Sequence, residues 1–131
     1  MKNLEVGQTA SLTKAFSAAD VEMFANLSLD KNRIHLDEQY AQDTIFHQRI
    51  VHGFLSGSLI SAVIGTVLPG EGAIYLHQDM DFKKPVFIDE QITAVVTVEG
   101  VNEEKHICRL HTQCVNANGD VKIDGKAIIK Y

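Results

Sequence analysis

The spacing of apolar residues changes several times along the chain, and each change marks a different structural element. Residues 8–16 alternate, with Ala10, Leu12 and Phe16 on one side, and this period of two predicts an edge strand. Apolar residues then recur at helical spacing over residues 18–27. The chain is therefore predicted to start with a strand followed by a short amphipathic helix.

Two helix-start signals surround a polar segment. Ser17 is followed three residues later by Asp20, which resembles a capping box, in which each side chain bonds the backbone N–H of the other residue. Asp37 is placed to cap a second short helix that continues to about Asp43. The residues from Asp30 to His35 are polar and without helical period, so they are predicted to form a loop between the two helices.

The segment from Phe54 to Val67 is apolar nearly all round, which is typical of a buried helix. Gly53, Gly57 and Ser61 follow one another at intervals of four along this segment, so they form a stripe with little side-chain bulk. We expect something to pack tightly there, either protein from a sheet or second helix, or a ligand. Pro69-Gly70 should end the helix in a loop.

After this loop the apolar period returns to two. Alternate residues from Ile74 to Phe82 share one face, interrupted by Gln78, which should either be hydrogen-bonded inside the protein or line a cavity. Three more β-branched runs predict strands, at residues 92–101, 107–115 and 121–129. Asn118-Gly119 is a hairpin signal between the last two.

A long apolar helix with about five strands is most simply covered by wrapping a curved antiparallel sheet around it. The pattern therefore predicts an α+β hot-dog fold. A length of 131 residues fits one domain over residues 1–131.

Composition and charge restrict the kind of partner. The net charge is −5, from 12 Lys and Arg against 17 Asp and Glu, so no nucleic-acid surface is expected, because such a surface needs a basic footprint. No apolar run approaches the roughly 18 residues of a membrane span, and the start of the chain lacks a secretory signal pattern. We expect a soluble, cytoplasmic protein that binds no membrane.

The two cysteines do not suggest a disulfide or a metal site. Cys108 and Cys114 lie on one predicted strand, where their side chains would share a face but stand too far apart to bond. There is no Cys-x-x-Cys spacing, and His47 and His52 are five residues apart, which is the wrong spacing for one helix face. No metal is therefore expected.

Asp30, Asn32 and His35 form a short polar cluster. An imidazole beside a carboxylate suits proton transfer, because its pKa lies near neutrality. The alternative is structural: Asp and Asn would make Asx turns that cap the neighbouring helices, while His35 would satisfy a backbone carbonyl. The residues alone leave both interpretations open.

His52-Gly53 precedes the buried helix and adds a second chemical feature. The first turn of a helix has unpaired N–H groups and a partial positive charge, so it can receive an oxyanion, and Gly53 permits close approach. Addition or elimination next to a thioester would use this feature together with the acid–base cluster. A serine nucleophile is less favoured, because the helix serines lack the Gly-x-Ser-x-Gly turn.

At these residues the chain resembles a known family. The run from Leu27 to His35, with Ala41 after five more residues, is similar to the hydratase 2 motif of the MaoC-like, (R)-specific enoyl-CoA hydratases. Residues from Phe46 to Gly53, Leu68-Pro69-Gly70 and the run from Phe82 to Phe87 continue the resemblance. It covers essentially the whole chain and is strongest to the short bacterial (R)-hydratases that supply polyhydroxyalkanoate monomers.

The resemblance implies a homodimeric hot-dog enzyme that hydrates trans-2-enoyl-CoA to (R)-3-hydroxyacyl-CoA, with an acyl-CoA substrate and no separate cofactor. Asp30 and His35 match the catalytic pair that activates one water, with Asp30 as base and His35 as acid. Gly53 matches the N–H that receives the thioester oxygen. Asn32 is expected to brace the pair, and Ser61 falls at a polar helix position near the site.

Two residues depart from the family pattern, and other functions stay open. Leu29 replaces the glycine before the catalytic Asp, so the loop should run through ordinary dihedrals, and Arg33 replaces a proline that would restrict φ. The alternatives are a dehydratase of acyl-carrier-protein thioesters, a hot-dog thioesterase, or an acyl-thioester-binding module without catalysis. Basic residues that could meet coenzyme A phosphates are Lys31, Arg33, Arg49, Lys83 and Lys84.

Overall fold

An antiparallel sheet of six strands organises the computed structural model, which describes residues 3–131. The strands are β1 (Thr9–Ala15), β2 (Ile74–Gln78), β3 (Asp81–Phe82), β4 (Gln91–Asn102), β5 (Ile107–Asn116) and β6 (Val121–Lys130). The helices are α1 (Ala18–Ser28), α2 (Arg33–Leu36), α3 (Glu38–Gln42) and α4 (Gly53–Thr66). The strand order is β1-β4-β5-β6-β2, and the short β3 also pairs with β6.

The core lies between α4 and the sheet. α4 packs across β1, β4 and β5, and its Ile60, Val63 and Ile64 are buried in one cluster with apolar residues of the strands. Burial in β4 alternates along the strand, as expected for a sheet with one face on the core. The predicted arrangement of a long helix against a curved antiparallel sheet is thus confirmed, with six strands in place of about five.

One face of α4 is exposed in the chain. Phe54, Ser58, Ser61 and Gly65 follow one another at helical spacing and are all exposed, with Phe54 at 69%. The prediction that this helix is buried on all sides is therefore wrong for the single chain. Composition could not reveal that this face is exposed, because it contains no charged residue: it consists of Phe54, Gly65 and two serines.

The predicted strand from Ile74 to Phe82 is divided into β2 and β3. Its pairing with β6 shifts register between Tyr75 and His77, so the simple alternation of side chains is interrupted there. Gln78 donates from Nε2 to Thr112 Oγ1 at 3.0 Å and to the Asp79 carbonyl at 2.8 Å. Of the two roles considered for Gln78, the internally hydrogen-bonded one is confirmed.

The helix caps confirm two sequence predictions. Asp20 N–H donates to Ser17 Oγ at 3.1 Å, and Ser17 N–H donates to Asp20 Oδ2 at 2.9 Å, which completes the capping box of α1. Asp37 caps α3, because its Oδ1 accepts from Tyr40 N–H at 3.0 Å. These local signals are reliable because both partners lie within one helical turn.

The prediction of a continuous loop between α1 and α3 is wrong. The single-turn helix α2 interrupts it, with Asn32 as N-cap accepting from Ile34 N–H at 3.2 Å. A helix of four residues is too short to show a hydrophobic period. Its formation matters because α2 carries His35.

Both cysteines are free thiols and both are buried, which the sequence had not specified. Burial raises the pKa of Cys114 to about 12, so its thiol stays protonated and packs as a small apolar group.

None of the helices in residues 3–131 combines the length and apolar character that crossing a bilayer demands.

Candidate active site

The turn after α1 directs Asp30 toward the start of α4. Leu29 is the C-cap of α1 with φ 69° and ψ 8°, a left-handed conformation that usually favours glycine. The expectation that Leu29 forces ordinary dihedrals is therefore wrong. The leucine side chain is 81% exposed, so no clash with the core adds to the local cost of a Cβ in this conformation.

Asp30 and Asn32 both act locally. Asp30 Oδ1 accepts from Asn32 N–H at 3.3 Å, and Asn32 caps α2. The structural interpretation of these residues, as Asx-type turn and cap, is therefore correct. It does not exclude a chemical role, because the Asp30 side chain also lines a cavity.

His35 is held in a defined tautomer. Its Nδ1 lies 2.8 Å from the Ile50 carbonyl oxygen, and because a carbonyl can only accept, Nδ1 carries the proton. Burial lowers the pKa of His35, and the nearby His52 and Arg49 lower it further, against the opposing effects of the Ile50 carbonyl and Asp30. His35 is thus neutral at pH 7, and its Nε2 is a hydrogen-bond acceptor.

His52 completes the cluster, which spacing along the sequence did not indicate. Its ring stacks on His35 with 3.8 Å between centroids and 27° between planes. Its Nε2 donates to the Asp30 carbonyl at 2.9 Å. The signal available in the sequence was its position directly before Gly53, at the start of the buried helix.

Asp30, His35 and His52 each offer an atom that could bind a metal, and these atoms lie within 4.8 Å of one another. Each imidazole already has one nitrogen bonded to a carbonyl. The remaining nitrogens lie in nearly parallel planes, so an ion in the plane of one ring would stand out of the plane of the other.

A cavity of about 580 Å³ opens beside this cluster, within the size range of small-molecule sites. Asp30 and Gly53 both line it, so the acid–base group and the first turn of α4 face one space. Its polar walls include Ser56, Lys83 and Lys84. The apolar walls are Phe46, Ile50, Val51, Phe54, Phe82, Pro85, Val86 and Ile123.

The glycine stripe of α4 is covered by side chains. A Cβ on Gly53 would lie 2.6 Å from the Phe82 ring, and one on Gly57 would lie 2.6 Å from Met80 Sδ. The tight neighbour expected on this stripe is therefore protein, from β3 and the residue before it. Gly53 is the first residue of α4, so its N–H belongs to the turn that helix carbonyls cannot satisfy.

Ser61 does not approach this cluster. It is exposed, and the cavity lining within residues 3–131 does not include it. Burial raises the pKa of Tyr75 to about 12, against the opposing effect of a hydrogen bond from Ser61. Ser61 therefore contacts the edge strand β2.

Four of the five basic candidates separate into two groups, and the fifth, Lys31, is exposed. Lys83 and Lys84 line the cavity, where they could meet an anionic ligand. Arg49 donates from Nε to the His35 carbonyl at 2.7 Å, and Arg33 donates to Asp37 Oδ2 at 3.1 Å. These two arginines support the local backbone and α2.

Comparison with known proteins agrees with the geometry. Residues 3–118 match the profile of the MaoC like domain. The (R)-specific enoyl-CoA hydratase of Rhodospirillum rubrum is 48% identical over 128 residues, which cover 98% of this chain and 88% of that protein. The (R)-specific enoyl-CoA hydratase of Aeromonas caviae is 46% identical over 129 residues, covering 98% and 96%.

A solved structure is also closely similar. The (R)-hydratase from A. caviae, described as involved in PHA biosynthesis, superposes with a TM-score of 0.96 at 45% identity. The superposition covers 99% of this chain and 98% of that one. By sequence and by fold, the chain belongs to the MaoC-like domain family.

Proposed function

We propose that the protein is an (R)-specific enoyl-CoA hydratase, which adds water reversibly and syn to trans-2-enoyl-CoA and forms (R)-3-hydroxyacyl-CoA. The observation that carries this proposal is the shared cavity of Asp30 and Gly53, with the His35 ring beside Asp30. A proton-transfer group and a helix N-terminus face one apolar space. The reaction needs both features, because it moves a proton while charge develops on a thioester oxygen.

Asp30 and His35 would hold one water as hydrogen-bond acceptors. As the water oxygen bonds to C3 of the enoyl chain, its O–H bond breaks and the proton passes to the pair. The electrons of the C2–C3 double bond move toward the thioester, and the pair then returns a proton to C2 on the same face. One water is thereby added, and the pair regains its starting state.

The roles within the pair depend on the tautomer of His35. With Asp30 as base and His35 as acid, the proton for C2 comes from His35 Nε2. In the neutral tautomer fixed by the Ile50 carbonyl, Nε2 carries no proton. His35 can therefore act as an acid only after it has received one, and Asp30 and His35 work as one coupled acid–base unit.

The Gly53 N–H would receive the thioester oxygen as enolate character develops. The partial positive charge at the start of α4 stabilises that oxygen, and a fixed donor in a closed site is worth more than one in water. The apolar walls would enclose the acyl chain, and Lys83 and Lys84 would face the coenzyme A phosphates. Coenzyme A is part of the substrate, so the reaction requires no cofactor and no metal.

We further propose a cytoplasmic homodimer that supplies polyhydroxyalkanoate monomers. Two exposed apolar surfaces support the dimer: the edge strand β2, with Ile74, Tyr75 and Leu76 exposed, and the face of α4 that includes Phe54. An uncovered apolar edge strand invites pairing with another chain. Sedimentation of the purified protein should give twice the chain mass, and Leu76→Lys should shift it toward the monomer.

The hydratase activity is tested by following the conjugated absorbance of crotonyl-CoA, with chiral analysis of the product. Asp30→Asn and His35→Gln should each lower kcat by about 10²- to 10⁴-fold, the usual contribution of general acid–base catalysis, with unchanged circular dichroism. Asp43→Asn changes an exposed carboxylate and should have no effect. Rates like those of the wild type in both pair variants would refute the mechanism.

The same assay distinguishes the other functions. Release of free thiol would indicate a thioesterase, and faster turnover on a matched carrier-protein substrate would indicate a carrier-protein dehydratase. Binding of enoyl-CoA without loss of its conjugated absorbance would indicate a binding module.

A further inference from the structure

Hydrogen bonds join residues 30–35 to residues 49–52 around the proposed catalytic pair. His35 Nδ1 donates to the Ile50 carbonyl at 2.8 Å, and His52 Nε2 donates to the Asp30 carbonyl at 2.9 Å. Ile50 N–H donates to the Ile34 carbonyl at 3.3 Å, and Arg49 Nε donates to the His35 carbonyl at 2.7 Å. The two histidines thus bond reciprocally, each to the segment that carries the other.

Stability alone does not account for a histidine at position 52. The residue is 1% exposed, and its ring packs edge-on against Phe24 at 4.9 Å between centroids. Its Nδ1 is buried and has no hydrogen-bond partner within residues 3–131. A buried unpaired nitrogen costs free energy, and a phenylalanine would fill the same space without that cost. The group that a phenylalanine would lack is the Nε2–H donor to Asp30.

The position of His52 in the chain gives this donor its importance. His52 is the N-cap of α4, directly before Gly53, and its side chain bonds the backbone of Asp30 and stacks on His35. One side chain therefore contacts both members of the acid–base pair and adjoins the proposed oxyanion donor. A displacement of about 1 Å between reacting groups can cost a 10²-fold loss of rate.

We propose that His52 is a positioning residue, which fixes Asp30 and His35 relative to Gly53 through its Nε2–H bond to the Asp30 carbonyl and its stacking on His35. This inference rests on the proposed hydratase function, since positioning has kinetic meaning only if these residues catalyse. His52 itself need not exchange a proton with the substrate.

Two substitutions separate the donor from the packing. His52→Phe keeps an aromatic ring against Phe24 and His35 but removes the donor. It should lower kcat for crotonyl-CoA about 10- to 100-fold and change KM by less than about threefold. His52→Gln places an amide N–H near the position of Nε2 and should recover most of the lost kcat. The same substitutions at His106, in the exposed turn after β4, should leave the kinetics unchanged.

Two outcomes would overturn the inference. One is a kcat for His52→Phe equal to that of the wild type. The other is an equal loss in His52→Phe and His52→Gln accompanied by a lower melting temperature, which would show that His52 only supports the fold.

A readout independent of activity separates this inference from the proposed function. Side-chain ¹H–¹⁵N spectra should show a protected Nε2–H for His52, and the Nδ1–H of His35 should exchange faster with solvent in His52→Phe but be protected again in His52→Gln. If the wild-type protein does not hydrate crotonyl-CoA, the hydratase proposal fails, while these exchange rates still report whether His52 holds His35. An Nδ1–H of His35 that is as protected in His52→Phe as in the wild type would refute the positioning.

Discussion

His35 and His52 stack at 3.8 Å between ring centroids, and each donates one N–H to a carbonyl of the other's segment. These bonds determine which nitrogen of each ring carries a proton. On His35, they leave Nε2 as an acceptor in the cluster with Asp30, and Asp30 lines the cavity. This relationship between two side chains defines the chemistry available to the site and leads directly to a pH dependence.

Activity should decline on the acid side of the His35 pKa. Burial, together with His52 and Arg49, lowers this pKa from its usual 6.5, so Nε2 is mostly unprotonated at pH 7. We expect kcat/KM for crotonyl-CoA to change little from about pH 7 to 8 and to fall as the pH drops through the lowered pKa. A fall as the pH rises through the lowered pKa would instead show that the free enzyme needs protonated His35.

Restoring the family residues in the loop should not weaken the protein. Leu29→Gly removes the free-energy cost of holding a leucine in the left-handed conformation, about 1 kcal/mol. A destabilising effect of similar size opposes this gain, because glycine increases the conformational entropy of the unfolded chain. Its unfolding free energy in urea should equal or exceed that of the wild type. Leu27→Gly is the matched control, since Leu27 is 82% exposed but lies within α1, and it should lose about 1 kcal/mol.

Arg33→Pro should also be tolerated. Arg33 is the first residue of α2 and follows Asn32 with φ −56° and ψ 128°, a conformation that suits a residue before proline. The rigid ring should raise the unfolding free energy by about 0.5 kcal/mol, reduced by loss of the exposed bond to Asp37. A clear loss of stability in urea would contradict this placement of Arg33.

Adding a methyl group at Gly53 should reduce stability more than adding one at Gly57. At Gly53 the Cβ would meet three atoms of the Phe82 ring, which would be pushed toward the cavity. We expect Gly53→Ala to cost about 1–3 kcal/mol and to lower kcat/KM. Gly57→Ala meets the flexible thioether of Met80 and should cost less.

A second substitution tests the steric cause. Phe82→Leu in the Gly53→Ala background should recover part of the lost stability in thermal unfolding. No recovery would show that the loss arises elsewhere, for instance in the helix start itself.

The wall of the cavity is anchored by a buried ion pair. Lys122 Nζ contacts Glu90 Oε2 at 3.1 Å and donates to the Pro85 carbonyl at 2.9 Å. Partial burial opposes ionisation of Glu90, but bonds from Phe87 N–H, Lys122 and Asn116 outweigh it, so its pKa is lowered. A lowered folded pKa stabilises the protein above the unfolded value, and this contribution is lost as the pH falls through the folded value.

Glu90→Gln should therefore destabilise the protein by about 2 kcal/mol at pH 7, because it leaves the Lys122 charge buried without a partner. The difference from the wild type should disappear only as the pH falls below the lowered folded pKa of Glu90, where the carboxylate itself is protonated. Lys84→Gln breaks an exposed ion pair to Asp120 and should change the unfolding free energy by less than about 0.5 kcal/mol. A difference that persists at low pH would rule out the charge as its cause.

Local pattern was sufficient for much of the architecture. Four strands (β1, β4, β5 and β6), α4 and the caps at Ser17 and Asp37 were predicted, because periods of two and 3.6 and capping bonds depend on near neighbours. The division of the remaining strand into β2 and β3 was not predicted. The residues alone indicated Asp30, His35 and Gly53 as candidates, and the resemblance added their specific roles as catalytic pair and thioester-oxygen donor. These predictions share one property, which is that their signal lies within a few residues of the chain.

The sequence by itself thus determined the helix-on-sheet architecture and the chemical groups near Asp30, His35 and Gly53. Only the tertiary structure decided how they meet: the left-handed turn at Leu29, the single-turn helix under His35, the exposed face of α4, and His52 inside the cluster. The spacing argument had considered His52 only as a metal ligand together with His47. Contacts between residues 30–35 and 49–52 form because the chain folds back on the start of α4. The local spacing of apolar and polar residues does not predict contacts between segments that are separated in sequence.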